Sequence, residues 1–148
     1  MIKYDRLRIY RDDLNRAIFE IDGSKTYYMS SSYNYFIIIN ADYFDKQWKK
    51  SEFDIQKVLA NIEDKHNDIK YKRAEIGFQS GRDNPVPIVN VQIMMEDEIN
   101  IIPTLENGLT RTNYLLANNV KYLVFGIDSN EFLNDTEFYF LIKNSDIK

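Results

Sequence analysis

Cysteine is absent from this chain of 148 residues. Disulfide staples, thiolate metal sites and thiol nucleophiles are excluded with it. A chain without cysteine suits a reducing compartment, and a cytoplasmic location is expected. Histidine occurs once, as His66 near the end of a charged segment, where it reads as a surface residue. There is no Ser/His/Asp set, no Walker loop and no Rossmann glycine fingerprint. Long apolar runs are also missing. The longest, such as Tyr35 to Ile39, have the length of a strand, far short of the roughly 18 residues a membrane helix needs. Met1 to Asp13 is charged and carries no apolar signal-peptide core, and no membrane partner is expected.

An excess of positive charge is missing too. Nineteen Lys and Arg stand against 23 Asp and Glu, a formal net charge of −4. Bulk electrostatic binding of nucleic acid calls for a basic excess or a basic face. The lysines that do cluster, Lys46, Lys49 and Lys50, then Lys65, Lys70 and Lys72 with Arg73, are interleaved with acids and read as solvated faces. Any contact with DNA would be local.

What is present is core material. The chain is 44% hydrophobic and 14% aromatic, with eleven Tyr and nine Phe. This composition excludes wholesale disorder and suits one domain of average length. Arg16 to Ile21 alternates as a strand, Asp22-Gly23-Ser24 is a turn, and Thr26 to Met29 is its hairpin partner. Tyr35 to Ile39 reads as a strand buried on both faces. Asp42 is expected to cap a short helix through Trp48, and Ser51 a second helix carrying Phe53, Val58, Leu59 and Ile62. Tyr43, Phe44 and Trp48 read as a core cluster rather than a stacking platform for bases.

Lys70 to Pro87, with Gly77, Gly81, Pro85 and Pro87, reads as a long loop. Arg73, Arg82 and Asp83 lie in it and could close over a ligand. Val89, Val91, Ile93 and Met95 share one face of the next strand, Glu96-Asp97-Glu98 turns the chain, and Ile99 to Ile102 returns. That acidic run reads as a solvated turn, with divalent-cation binding as the other reading. Thr112 to Asn119 is expected to be a helix with Leu115 and Leu116 facing inwards, stopped by Asn118-Asn119. Tyr122 to Ile127 is a last core strand, and Phe138 to Ile142 adds an edge strand. The expected architecture is α+β, a small mixed β-sheet with packed helices. The expected organisation is one domain over residues 1–148: a hairpin at 16–29, a core at about 36–127 and a C-terminal extension at 128–148.

The segment Asn107-Gly108-Leu109-Thr110-Arg111 joins a strand to a helix. A glycine there lets backbone approach a ligand, and the first N–H groups of the helix favour an anion. Arg111 could fork two hydrogen bonds onto a phosphate, and Thr110 could cap the helix or donate its hydroxyl. A plain turn with a capped helix and a surface arginine is the alternative.

Three pieces of the chain resemble the ParB/sulfiredoxin-like fold, and within it the plasmid fertility inhibition factors. Ile38 to Trp48 is similar to their early strand and Trp-containing helix. Pro85-Val86-Pro87-Ile88-Val89 is similar to the entry of their next strand. Asn107 to Val120 resembles their Asp/Asn-Gly-x-His-Arg helix and the strand after it. The resemblance spans Phe36 to Ile127. It implies a nucleotide ligand such as ATP or CTP, with a divalent cation, or DNA. It also implies nucleotide hydrolase or nuclease activity in some members, and a role in blocking plasmid or T-DNA transfer. Carried over by position, Gly108 makes room for the phosphate, Arg111 pairs with it, Asn107 and Glu106 flank it, and Glu106, the catalytic candidate, polarises a water or holds a metal. The motif histidine stands here as Thr110, which cannot shuttle a proton near neutral pH. A second class of function fits an acidic, Tyr-rich domain: a non-enzymatic module that binds a protein of a conjugation or secretion system, or a basic toxin.

Overall fold

The computed structural model describes residues 7–21, 24–28, 33–51, 75, 87–105, 107–128 and 133–148. The strands are β1 (Leu7–Arg11), β2 (Ala17–Ile21), β3 (Ser24–Tyr28), β4 (Tyr35–Asn40), β5 (Val91–Met95), β6 (Ile101–Leu105), β7 (Tyr122–Ile127) and β8 (Tyr139–Lys143). The helices are α1 (Ala41–Trp48) and α2 (Leu109–Ala117), and a short 3-10 turn covers Asn144–Asp146. The strands form three antiparallel sheets, ordered β1-β2-β3, β7-β4-β8 and β5-β6. One parallel bridge, Asn90 to Gly126, joins the β5–β6 hairpin to β7. This is the α+β class expected from the sequence.

β4 explains the arrangement. Its continuous apolar run has no polar face, so it is stable only between two layers. Ile37 and Ile39 point into one core with Phe44, Trp48, Leu123 and Phe125. Phe36 and Ile38 point into a second core with Ala17, Phe19, Tyr28 and Val124. The first core is closed by α1, and Trp48 and Phe44 within it are fully buried. The second is closed by the N-terminal sheet, where Phe19 meets Tyr28 and Phe36 edge-on at 5.5 and 5.4 Å.

β1 has no counterpart in the sequence reading, because its charge hides its alternation. The strand is held by its arginine. Arg11 Nη2 donates to Asn144 Oδ1 at 2.6 Å and to the Asn144 carbonyl at 2.9 Å, and Arg11 N–H donates to the Lys148 carbonyl at 3.0 Å. Asp12 builds the turn into β2 by accepting from the N–H groups of Leu14 and Arg16, with Asn15 in the left-handed region.

α1 starts two residues before the expected place. Asn40, not Asp42, is its N-cap, and Asn40 Oδ1 accepts from Tyr43 N–H at 2.9 Å. Asp42 stands in the first turn, where a carboxylate complements the helix dipole. Ser51 is buried and its hydroxyl lies 2.8 Å from that of Thr104. The helix expected after it, His66 and most of the 70–87 loop fall outside the described residues.

β6 runs to Leu105, past the expected end at Ile102 and through Pro103. Proline is tolerated in a strand where its missing N–H would face an unpaired edge, and that edge of β6 is covered by α1. Tyr43 Oη accepts from Ile101 N–H at 3.0 Å, and Gln47 Nε2 donates to the Ile101 carbonyl at 2.8 Å. Gln47 is 2% exposed, so Gln47→Leu would leave a buried carbonyl without its donor. The expected loss of stability is about 1–3 kcal/mol, read from the urea midpoint, and no loss would mean the bond contributes nothing. The acidic turn between β5 and β6 is closed by Asp97, whose Oδ1 accepts from Ile99 and Asn100 N–H at 2.8 and 2.7 Å. Those bonds and the Asn100 side-chain amide hold the Asp97 carboxyl below its usual range. The carboxylate is engaged by the turn itself, as the solvated-turn reading expected.

Candidate functional site

α2 begins at Leu109, three residues before the expected start, because the chain reverses at Gly108. Gly108 is the N-cap, with φ of +75°, a conformation that costs an L-residue about 1–2 kcal/mol. A Cβ at this position would also overlap the Val89 side chain. The glycine is therefore needed for its own turn and for close packing on the segment before β5. Among the described residues no side chain caps the start of the helix, and Thr110 makes no cap bond although it stands in the first turn. Asn107 is exposed, and Glu106 falls outside the described residues.

Arg111 completes the first turn and is half-buried. Its Nη1 donates to the Pro87 carbonyl at 2.8 Å. This fixes the guanidinium beside the helix start, and Nε and Nη2 make no hydrogen bond among the described residues. Burial lowers the Arg111 pKa from its ordinary value, and the Tyr28 phenol nearby works against that shift. Burial raises the Tyr28 pKa, so its hydroxyl stays protonated and can act as a donor at neutral pH. Tyr28 also lines a cavity of about 240 Å³ with Phe19, Thr26, Leu115, Asn119 and Tyr122.

Three separate stretches thus meet at one place: β3 through Tyr28, the entry to β5 through Pro87 and Val89, and the start of α2 through Gly108 and Arg111. Sequence reasoning found the last of these and missed Tyr28, which has no local signal. It also missed Asn113. The stripe Leu109, Thr112, Asn113 and Leu116 faces inwards, and Thr112, Asn113 and Ala117 are the buried residues of the helix. Leu115 and Leu116, expected to face inwards, pack against the first core and are half-buried. Asn113 is 1% exposed and its Oδ1 has no hydrogen-bond partner among the described residues. A polar residue on an apolar stripe was the available signal. Asn119, at φ of 57°, ends α2 in the left-handed conformation that the Asn-Asn pair foretold.

Chemically, this arrangement offers fixed positive charge and amide donors at a helix start. Tyr28 and Arg111 are both protonated at neutral pH, so neither is a general base there. Among the described residues no group of three or more His, Cys, Asp or Glu could hold a metal ion. The same residues contain no helix long and apolar enough to cross a membrane.

No curated protein matches this chain. Its fold matches a crystal structure titled Oncogenic Suppression Activity Protein, a plasmid fertility inhibition factor, as its gold(I) cyanide derivative. The TM-score is 0.70 at 18% identity, over 88% of this chain and 72% of the other. At that identity the likeness speaks for the fold. The sequence model of the family described as plasmid fertility inhibition factor matches residues 36–131, from β4 past the end of β7. By that match, which takes in the central strands, α1 and the Gly108–Arg111 turn, the chain belongs to the plasmid fertility inhibition factor family.

Proposed function

We propose that this protein lowers plasmid transfer by binding a phosphate-type anion, of a nucleotide or of DNA, at the start of α2. The observation that carries the reading is the Arg111 guanidinium, held by the Pro87 carbonyl beside a helix start that no described side chain caps. The helix amides and the arginine supply the attraction, Asn107 and Thr110 flank it, and Gly108 makes the turn that aims the amides. The role is binding. Thr110 cannot move a proton near neutral pH, and a role for Glu106 as a catalyst requires a partner acid or base that the described residues do not provide.

The test is equilibrium binding of ATP, CTP and a short DNA duplex to the parent and to Arg111→Ala. A charge-assisted hydrogen bond contributes about 1.5–3 kcal/mol, so a loss of about ten- to a hundredfold is expected. The same substitution is expected to restore plasmid transfer in cells that express the protein. Equal binding by the two proteins would remove Arg111 from the ligand site.

A further inference from the structure

Strand β5 loses its neighbour on one side before it ends. Beside β7 it makes a single bridge, where Gly126 N–H donates to the Val89 carbonyl at 2.8 Å. β7 stops one residue later at Ile127, whereas β5 continues to Met95. On the other side, Glu96 N–H donates to the Asn100 carbonyl at 2.8 Å at the hairpin end. Bonded pairs alternate in an antiparallel ladder, so Met94–Ile102 and Gln92–Thr104 are the bonded pairs. The N–H and C=O groups of Ile93 and Met95 therefore point away from β6, in the row begun by the Val89 carbonyl. Among the described residues they have no backbone partner. The far edge of the same hairpin is protected: Tyr43 and Gln47 take the groups of Ile101, and Pro103 has no N–H to leave open. One edge is covered and the other is left available for pairing.

A groove of about 350 Å³ runs along the open edge, with Val91, Ile93 and Met95 on one side and Ile127, Asp128 and Leu133 on the other. Its described lining is mostly apolar, with Asn90, Gln92 and Asp128 as the polar members. Among the described residues its lining contains one carboxylate and no lysine or arginine.

We propose that this groove receives an extended segment of a partner protein as an added β-strand, pairing with the free groups of Ile93 and Met95. One face of the segment is apolar and packs on Ile127 and Leu133, and the other carries basic residues that meet Asp128. The net charge of −4 draws such a segment from a distance. The groove is built from β5 and the end of β7, and it stands or falls independently of the anion site at α2.

The probe is a fluorescent ten-residue peptide alternating valine and lysine, titrated against the whole chain and followed by anisotropy. Saturable binding is expected, with slowed hydrogen exchange at the amides of Ile93 and Met95. Ile93→Pro removes an outward N–H and no bond to β6, and is expected to weaken binding about tenfold or more, the effect of a lost edge bond plus a blocked edge. Asp128→Lys, on an exposed side chain, is expected to weaken it as well and to reduce its salt dependence. The inference is overturned if the peptide does not bind, or if a backbone N-methylated peptide binds as well as the parent peptide. It is also overturned if both variants bind unchanged, or if the chain alone dimerises through this edge, since the occupant would then be a second copy.

Discussion

Replacing Trp48 by alanine is expected to lower the stability of this protein by about 3–5 kcal/mol, the range for emptying a buried Trp site. Trp48 is fully buried at the end of α1, with its ring centroid 5.2 Å from that of Phe44. Phe44 stacks in turn on Phe125 of β7 at 5.0 Å. The side chain thus ties the helix to the sheet that carries Ile37 and Ile39. The cavity left behind is walled by strands that are paired on both sides of β4, so it can collapse only in part. Domains of this size have about 5–15 kcal/mol in total, and the variant is expected to lose much of that. Urea unfolding followed by fluorescence of the remaining tyrosines and by circular dichroism measures it. A midpoint that falls while the slope holds gives the loss directly. A loss under about 1 kcal/mol would mean that the site repacks and that α1 is not anchored by Trp48.

The second large effect is expected at Gly108. Substitution by alanine there meets two independent obstacles, the left-handed φ of +75° and the overlap with the Val89 side chain. The conformational cost is about 1–2 kcal/mol and overpacking adds about 1–3 kcal/mol. The two can be separated. Val89→Ala in the Gly108→Ala background opens the space beside the new Cβ and leaves the backbone conformation as it was. The double variant is expected to regain the overpacking part, reduced by what Val89→Ala costs alone, and to keep the conformational part. A cycle of the four proteins isolates the coupling between the two positions. If the two effects simply add, the contact seen between residue 108 and Val89 does not govern the turn. Because Gly108 sets the direction of the α2 amides, Gly108→Ala is also expected to weaken anion binding even where the protein stays folded.

Most of the fold was legible in the sequence wherever the signal was local and apolar. The doubly buried β4, the Trp-containing helix, the β5 face and β7 rest on runs whose pattern matches their burial, whereas the alternation read for β2 is broken by Ile18, which is as buried as Ala17 and Phe19. β1 was not legible, because Arg8 and Arg11 interrupt its pattern and its support comes from residues 144–148, far along the chain. The bounds of β6 were misjudged for a similar reason. A proline normally ends a strand, and only the packing of α1 along that edge makes Pro103 acceptable. The N-cap of α1 moved from Asp42 to Asn40 because two residues of similar capping strength compete there, and the strand direction decides between them.

The candidate site divides along the same line. By itself the sequence determined that Gly108 makes a turn, that a helix carrying Arg111 follows, and that no imidazole stands between them. These are properties of neighbouring residues, set by steric freedom and side-chain chemistry. Only the tertiary structure decided where Arg111 points, what holds it, and that Tyr28 lies beside it. Those facts depend on three stretches far apart in the chain meeting between two cores. It also decided that one edge of the β5–β6 hairpin is sealed and the other open. Strand edges are closed or left open by whatever the fold brings alongside, and no local pattern of residues records that neighbour.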